Sequence, residues 1–209
     1  MGRIRSQHGA YRIPEPEKWN ERAGIRLGEG QRDDDRGTDW RTDLYRYLGA
    51  GFPGRPQKAA VYATTAASVS HDRNGLYGAA FIAGCIAAAF ETSDVDRLIE
   101  IGLSLIPEES DYARVVRDVV RFRNEEPDDW RACIAYLQQN WGYDKFPGVC
   151  HIIPNAGVCV MALLYGRSFA RAVEIATMAG WDTDCNAGNV GTIMGVANGL
   201  DGKIGRAHV

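Results

Sequence analysis

The chain has 209 residues, 45% hydrophobic and 24% charged, enough for one globular domain with a sizeable core. Its net charge of -3 argues against nucleic-acid and membrane-surface roles, which draw on a basic excess. No apolar run reaches the roughly 18 residues that span a bilayer, residues 1–20 hold no apolar signal-peptide core, and the five cysteines lack CxxC spacing. A disulfide scaffold and a thiolate zinc site are therefore poor readings, and a reducing, cytoplasmic compartment fits best.

Residues 1–40 contain 10 hydrophobic and 16 charged residues, too little apolar surface to order the segment alone, so they read as a charged leader. Within it, Asp33, Asp34 and Asp35 read as a solvated charge run.

Residues 41–200 read as helix after helix. An Ala-rich helix is expected over 57–69. The segment 75–90 (GLYGAAFIAGCIAAAF) is apolar on nearly every face, which predicts a central buried helix. Ser93 is placed as the cap of the next, which Pro107 closes. Ser110 then caps a helix whose Tyr112, Val115, Val116, Val119, Val120 and Phe122 recur at helical spacing. Pro127 fits a first helical turn ahead of Trp130, Cys133, Ile134 and Leu137. Further helices are expected over 154–165, 168–178 and 186–200. No strand-length alternation bounded by turn signals is found, so the domain is read as all-α. Residues 201–209 do not continue the pattern. Residues 204–209 (IGRAHV) read either as a translated piece of sequencing-library adapter or as a short polar tail.

The most informative stretch is GWDTDCNAGN, residues 180–189. Asp182 and Asp184 alternate across a short turn, so both carboxylates can converge on one hard divalent cation such as Mg²⁺. The alternative makes Asp184 a helix N-cap and Asp182 a solvated loop acid. Gly188, Gly191 and Gly195 lie in the helix that follows. Each costs about 1 kcal/mol against alanine, which points to close backbone approach along that helix.

GWDTDCNAGNVGTIMGVANG resembles the C-terminal signature of the ADP-ribosylglycohydrolase family. Val69-Ser70-His71 with Asn74-Gly75-Leu76-Tyr77-Gly78 is similar to the family's serine-histidine segment. His151-Ile152-Ile153-Pro154-Asn155-Ala156 with Leu163-Leu164-Tyr165-Gly166 is also similar, as is Asp43-Leu44-Tyr45 with Pro53-Gly54. The four segments are collinear over about residues 41–200.

The resemblance implies an all-α, orthogonal multi-helix bundle with two Mg²⁺ ions, present here as an N-terminally truncated, partial domain. It implies metal ligands at Asp182 and Asp184, with Cys185 standing where many members carry threonine. It also implies hydrolysis of the glycosidic bond of ADP-ribose, with paired metals orienting ribose hydroxyls and activating water. Asp184 is then the expected catalytic residue, touching metal and water. His71, Gly75, His151 and Asn155 are expected to line the substrate cleft, His71 sharing it with the acidic pair. Capping or core roles stand beside this for His71 and Asn155. The expected partner is an ADP-ribosylated protein or a small ADP-ribose conjugate. With only one acidic pair, the chain alone is expected to hydrolyse such linkages poorly. A non-catalytic ADP-ribose-binding protein of the same fold and a helical interaction module are the rival readings.

Overall fold

The computed structural model describes residues 42–146 and 150–199, with side chains from Tyr45 onward. The described residues form α1 (Thr42–Ala50), α2 (Pro56–Ala67), α3 (Arg73–Ala88), α4 (Val95–Ser104), α5 (Asp111–Glu125), α6 (Trp130–Trp141), α7 (Ile152–Gly166), α8 (Phe169–Met178) and α9 (Thr183–Ala197). No strand occurs among them, and the all-α expectation holds.

Two helices organise the packing because their sequences leave no polar face. Every residue of α7 is buried, and α3 is buried from Gly75 to Ala88 except at Tyr77. α3 packs against α1, α2 and α4, and α7 against α5, α6, α8 and α9. Each fully buried large side chain here, such as Phe81, Ile153 or Leu163, contributes about 1.5–3 kcal/mol. Small residues set the helix spacing. Ala59, Ala60, Ala63 and Ala67 face inward from α2, and Gly102 of α4 lies against the Phe81 ring and Cys85 Sγ. No helix among the described residues is long and apolar enough to cross a membrane.

Several helix starts differ from the sequence expectation. Asp94, not Ser93, caps α4, accepting from the Arg97 backbone N–H. Asp129 caps α6 through the N–H groups of Arg131 and Ala132, which leaves Pro127 outside the helix. Ser110 caps α5 as expected, and Ser168 caps α8 from just outside it. The last helix begins at Thr183, so the acidic turn is itself a helix start, three residues earlier than expected.

Candidate metal centre

Three helices do not begin in the ordinary way. α3, α7 and α9 each carry a non-glycine residue of positive φ at their start: Arg73 (φ 43°), Cys150 (φ 57°) and Asp182 (φ 42°). The left-handed region costs a side-chain-bearing residue roughly 1–2 kcal/mol, with Asp among the most tolerant. Strain of this kind collects where surrounding structure holds a functional conformation. These starts carry the residues singled out from the sequence: His71 and Gly75, His151 and Asn155, and Asp182 and Asp184.

Asp182 occupies the cap position of α9, yet its side chain makes no capping hydrogen bond. The left-handed backbone turns the carboxylate elsewhere. Oδ2 accepts from Asn155 Nδ2 at 2.7 Å, and the thiols of Cys150 and Cys185 also donate to the carboxylate. Burial pushes the Asp182 carboxyl above the usual aspartate range; the thiol donors oppose this, and the nearby Asp184 charge adds to it. Asp184 lies in the first turn of α9 and is exposed, at the positive end of the helix dipole. Ligand atoms of Asp182, Asp184 and Cys185 lie within 4.8 Å of one another. The alternative drawn from the sequence, a capping Asp184 and a solvated Asp182, does not describe this turn.

Asn186 was not singled out from the sequence, although it holds the turn together. Fully buried, it donates through Nδ2 to the Trp181 carbonyl and accepts from Cys159 Sγ at 3.3 Å. Trp181 packs its ring on Tyr143 at 5.0 Å between centroids. Tyr143 in turn donates to Asn155 Oδ1 at 2.6 Å. Asn189 follows Asn186 by three residues and is buried, its Oδ1 without a hydrogen-bond donor among the described residues.

His151 caps α7, its Nδ1 accepting from the Ile153 N–H at 3.2 Å. That bond places the neutral ring's proton on Nε2. Burial holds the imidazole below its ordinary pKa. Asn155 lies one turn inside α7, only 1% exposed.

His71 is buried, with Nδ1 at 2.8 Å from Ser70 Oγ, and Gly75 is buried in the first turn of α3. α1 spans the space between this segment and α9. The Tyr45 ring meets His71 edge-on, while the next residue, Arg46, lies over Gly188, one turn beyond Asp184. Only Gly188 of the three glycines in α9 is tightly covered. A Cβ at Gly191 or Gly195 would meet its nearest neighbour at 3.5 Å, an ordinary contact, so the close approach expected at all three holds at one.

The remaining thiols are of another kind. Burial pushes Cys85 and Cys133 up to about 12, which makes them inert packing residues. None of the five cysteines forms a disulfide among the described residues. An open groove of about 360 Å³ lined by Leu103, Arg117, Val120, Arg121, Asn124 and Glu125 involves none of the candidate residues.

The described residues thus form an all-α domain in which the start of α9 brings ligand atoms of two aspartates and a thiol together. The chain belongs to the ADP-ribosylglycohydrolase family, whose model matches residues 19–204. The fold is thus that of a glycohydrolase family. No curated protein and no solved structure matches the chain.

Proposed function

We propose that the chain is a Mg²⁺-dependent hydrolase domain acting on the glycosidic bond of ADP-ribose conjugates, with an ADP-ribosylated protein side chain as the substrate class. The carrying observation is the convergence of Asp182 and Asp184 at the start of α9, within the family's matched span. Two carboxylates facing one point suit a hard cation, which takes oxygen ligands and completes its shell with water. Cys185 fits less well. Its thiol is soft and already donates to Asp182, so the cation would rest on the two aspartates. When bound, Mg²⁺ supplies charge to orient ribose hydroxyls and to acidify a water.

The chain's own residues then divide the work. Exposed Asp184 would face the reacting sugar and take the proton of the attacking water as the glycosidic bond breaks, that proton passing on to the departing side chain. Asp182, held from behind, keeps a fixed carboxylate beside it. His151, with its proton on Nε2, presents a donor to a phosphate or ribose oxygen. His71 and Gly75 lie across α1 from the acidic pair and serve the rest of the nucleotide.

The test is calorimetric binding of ADP-ribose by the purified chain with and without Mg²⁺. Binding that requires Mg²⁺ and vanishes in Asp184→Asn supports the reading. Binding indifferent to both overturns it in favour of a non-catalytic binder, and no binding at all points to a helical interaction module. Release of ADP-ribose from a modified protein then separates enzyme from pseudoenzyme.

A further inference from the structure

We propose that Asn155 is a positioning residue: its amide, oriented by Tyr143, holds the Asp182 carboxylate in the conformation that takes a divalent cation. The inference rests on the metal reading above and assigns Asn155 to the cation rather than to the substrate.

The orientation of the amide follows from its partners. Oδ1 receives the Tyr143 hydroxyl proton at 2.6 Å, while Nδ2 faces two acceptors, Asp182 Oδ2 at 2.7 Å and the Cys150 carbonyl at 3.4 Å. A flipped amide would set its oxygen against the two acceptor oxygens of Asp182 and Cys150. At 1% exposure Asn155 is too enclosed to meet a substrate, and it reaches Asp182 from a helix start 27 residues away in the chain. Asp182 needs such a hold. Its left-handed backbone forgoes the capping amides that would otherwise fix the side chain. A neutral amide also suits the task, because it immobilises a carboxylate without cancelling the charge that attracts a cation. Arg or Lys in its place would pair with Asp182 and compete with the metal. Groups that orient metal ligands in this way typically change metal affinity 10- to 100-fold when removed.

The experiment is a calorimetric titration of the 209-residue chain with Mn²⁺, repeated on Asn155→Ala and Tyr143→Phe, with metal-free thermal melts of all three. Asn155→Ala should weaken Mn²⁺ binding at least 10-fold. Tyr143→Phe, which removes one hydroxyl from a half-buried residue, should weaken it about 5-fold. Native affinity in both variants overturns the proposal, including the case where melting falls and affinity stays, since that describes a brace between α7 and α9 only. Should Asn155→Ala fail to fold, Tyr143→Phe decides alone. A native chain that takes up no Mn²⁺ overturns the metal reading itself, before any variant is compared.

Discussion

Asn155 Nδ2 donates to Asp182 Oδ2 at 2.7 Å and so joins the starts of α7 and α9, both of which pass through a left-handed residue. The bond explains why Asp182 can sit half-buried at a cap position without capping. It also separates two acids that a D-x-D motif makes look equivalent. Asp182 is the held, partly desolvated one, and Asp184 the exposed one at the helix dipole.

Their asparagine variants should differ accordingly in the metal-free chain. Burial raises the folded-state pKa of Asp182, so the folded form binds more protons than the unfolded form above the ordinary value of 3.8. Stability from this group therefore falls as pH rises through that window and stays reduced at neutral pH. Asp182→Asn removes the penalty and keeps an acceptor for Asn155. It should melt at or above the native temperature at pH 7 while losing cation binding. Asp184→Asn loses a favourable dipole interaction of about 0.3–1 kcal/mol and should melt slightly lower. Melts by circular dichroism at pH 7 without metal check both; a clear drop in Asp182→Asn alone would reverse the assignment.

His151 gives the opposite pH dependence. Its folded pKa lies below the ordinary 6.5 because the ring is partly buried. The unfolded chain then binds more protons between the two values, so stability is lost as pH falls from 6.5 toward the folded value. Protonation also removes the Nδ1 acceptor that caps α7. His151→Asn keeps a capping oxygen and does not titrate. The difference between native and variant melting temperatures should shift in the variant's favour between pH 7 and pH 5, and a constant difference would remove His151 from the account.

Two glycines test the packing. A Cβ at Gly102 would meet the Phe81 ring at 2.7 Å and Cys85 Sγ at 2.8 Å. Overpacking of about 1–3 kcal/mol should outweigh the roughly 1 kcal/mol of helix propensity gained, so Gly102→Ala should destabilise. Gly195→Ala meets Phe169 at 3.5 Å and should instead stabilise, by about 0.5–1 kcal/mol. Urea denaturation of both variants reads the two signs directly.

What was legible in the sequence follows the range of the interactions. α3, α5 and α7 were readable because their apolar residues recur within the helix itself, and Ser110 because a cap acts over three residues. Ser93 and Asp94 are adjacent residues of equal capping character, and only the backbone turn decides between them. The acidic turn was legible as a pair of carboxylates. The parts that hold it were not. Tyr143, Cys150 and Asn186 each make a polar contact to a residue 12 or more positions away, and no periodicity marks such residues. Gly191 and Gly195 misled for the converse reason, since a glycine in a helix looks alike whether or not a neighbour crowds it.

Cys185 offers the sharpest test of which cation the turn prefers. Its Sγ lies within 4.8 Å of ligand oxygens of both aspartates, close enough to share a cation with them. The thiol is buried and donates to Asp182, so any contact it made with a bound cation would offer sulfur, not oxygen. Soft donors favour thiophilic ions and add little for Mg²⁺. Cys185→Thr puts a hard hydroxyl oxygen at the same place, close in volume to the thiol. It should tighten Mg²⁺ several-fold, since one added ligand hydrogen bond or contact is worth about 1 kcal/mol, and weaken Cd²⁺ by more. Cys185→Ala separates the two effects, because it should weaken Cd²⁺ as well while leaving Mg²⁺ near its native affinity. Competitive titration of Mg²⁺ against Cd²⁺ on the three proteins measures the ratio directly. If the threonine variant leaves both affinities where they were, residue 185 stands outside the coordination sphere, and Asp182 and Asp184 hold the cation with water alone.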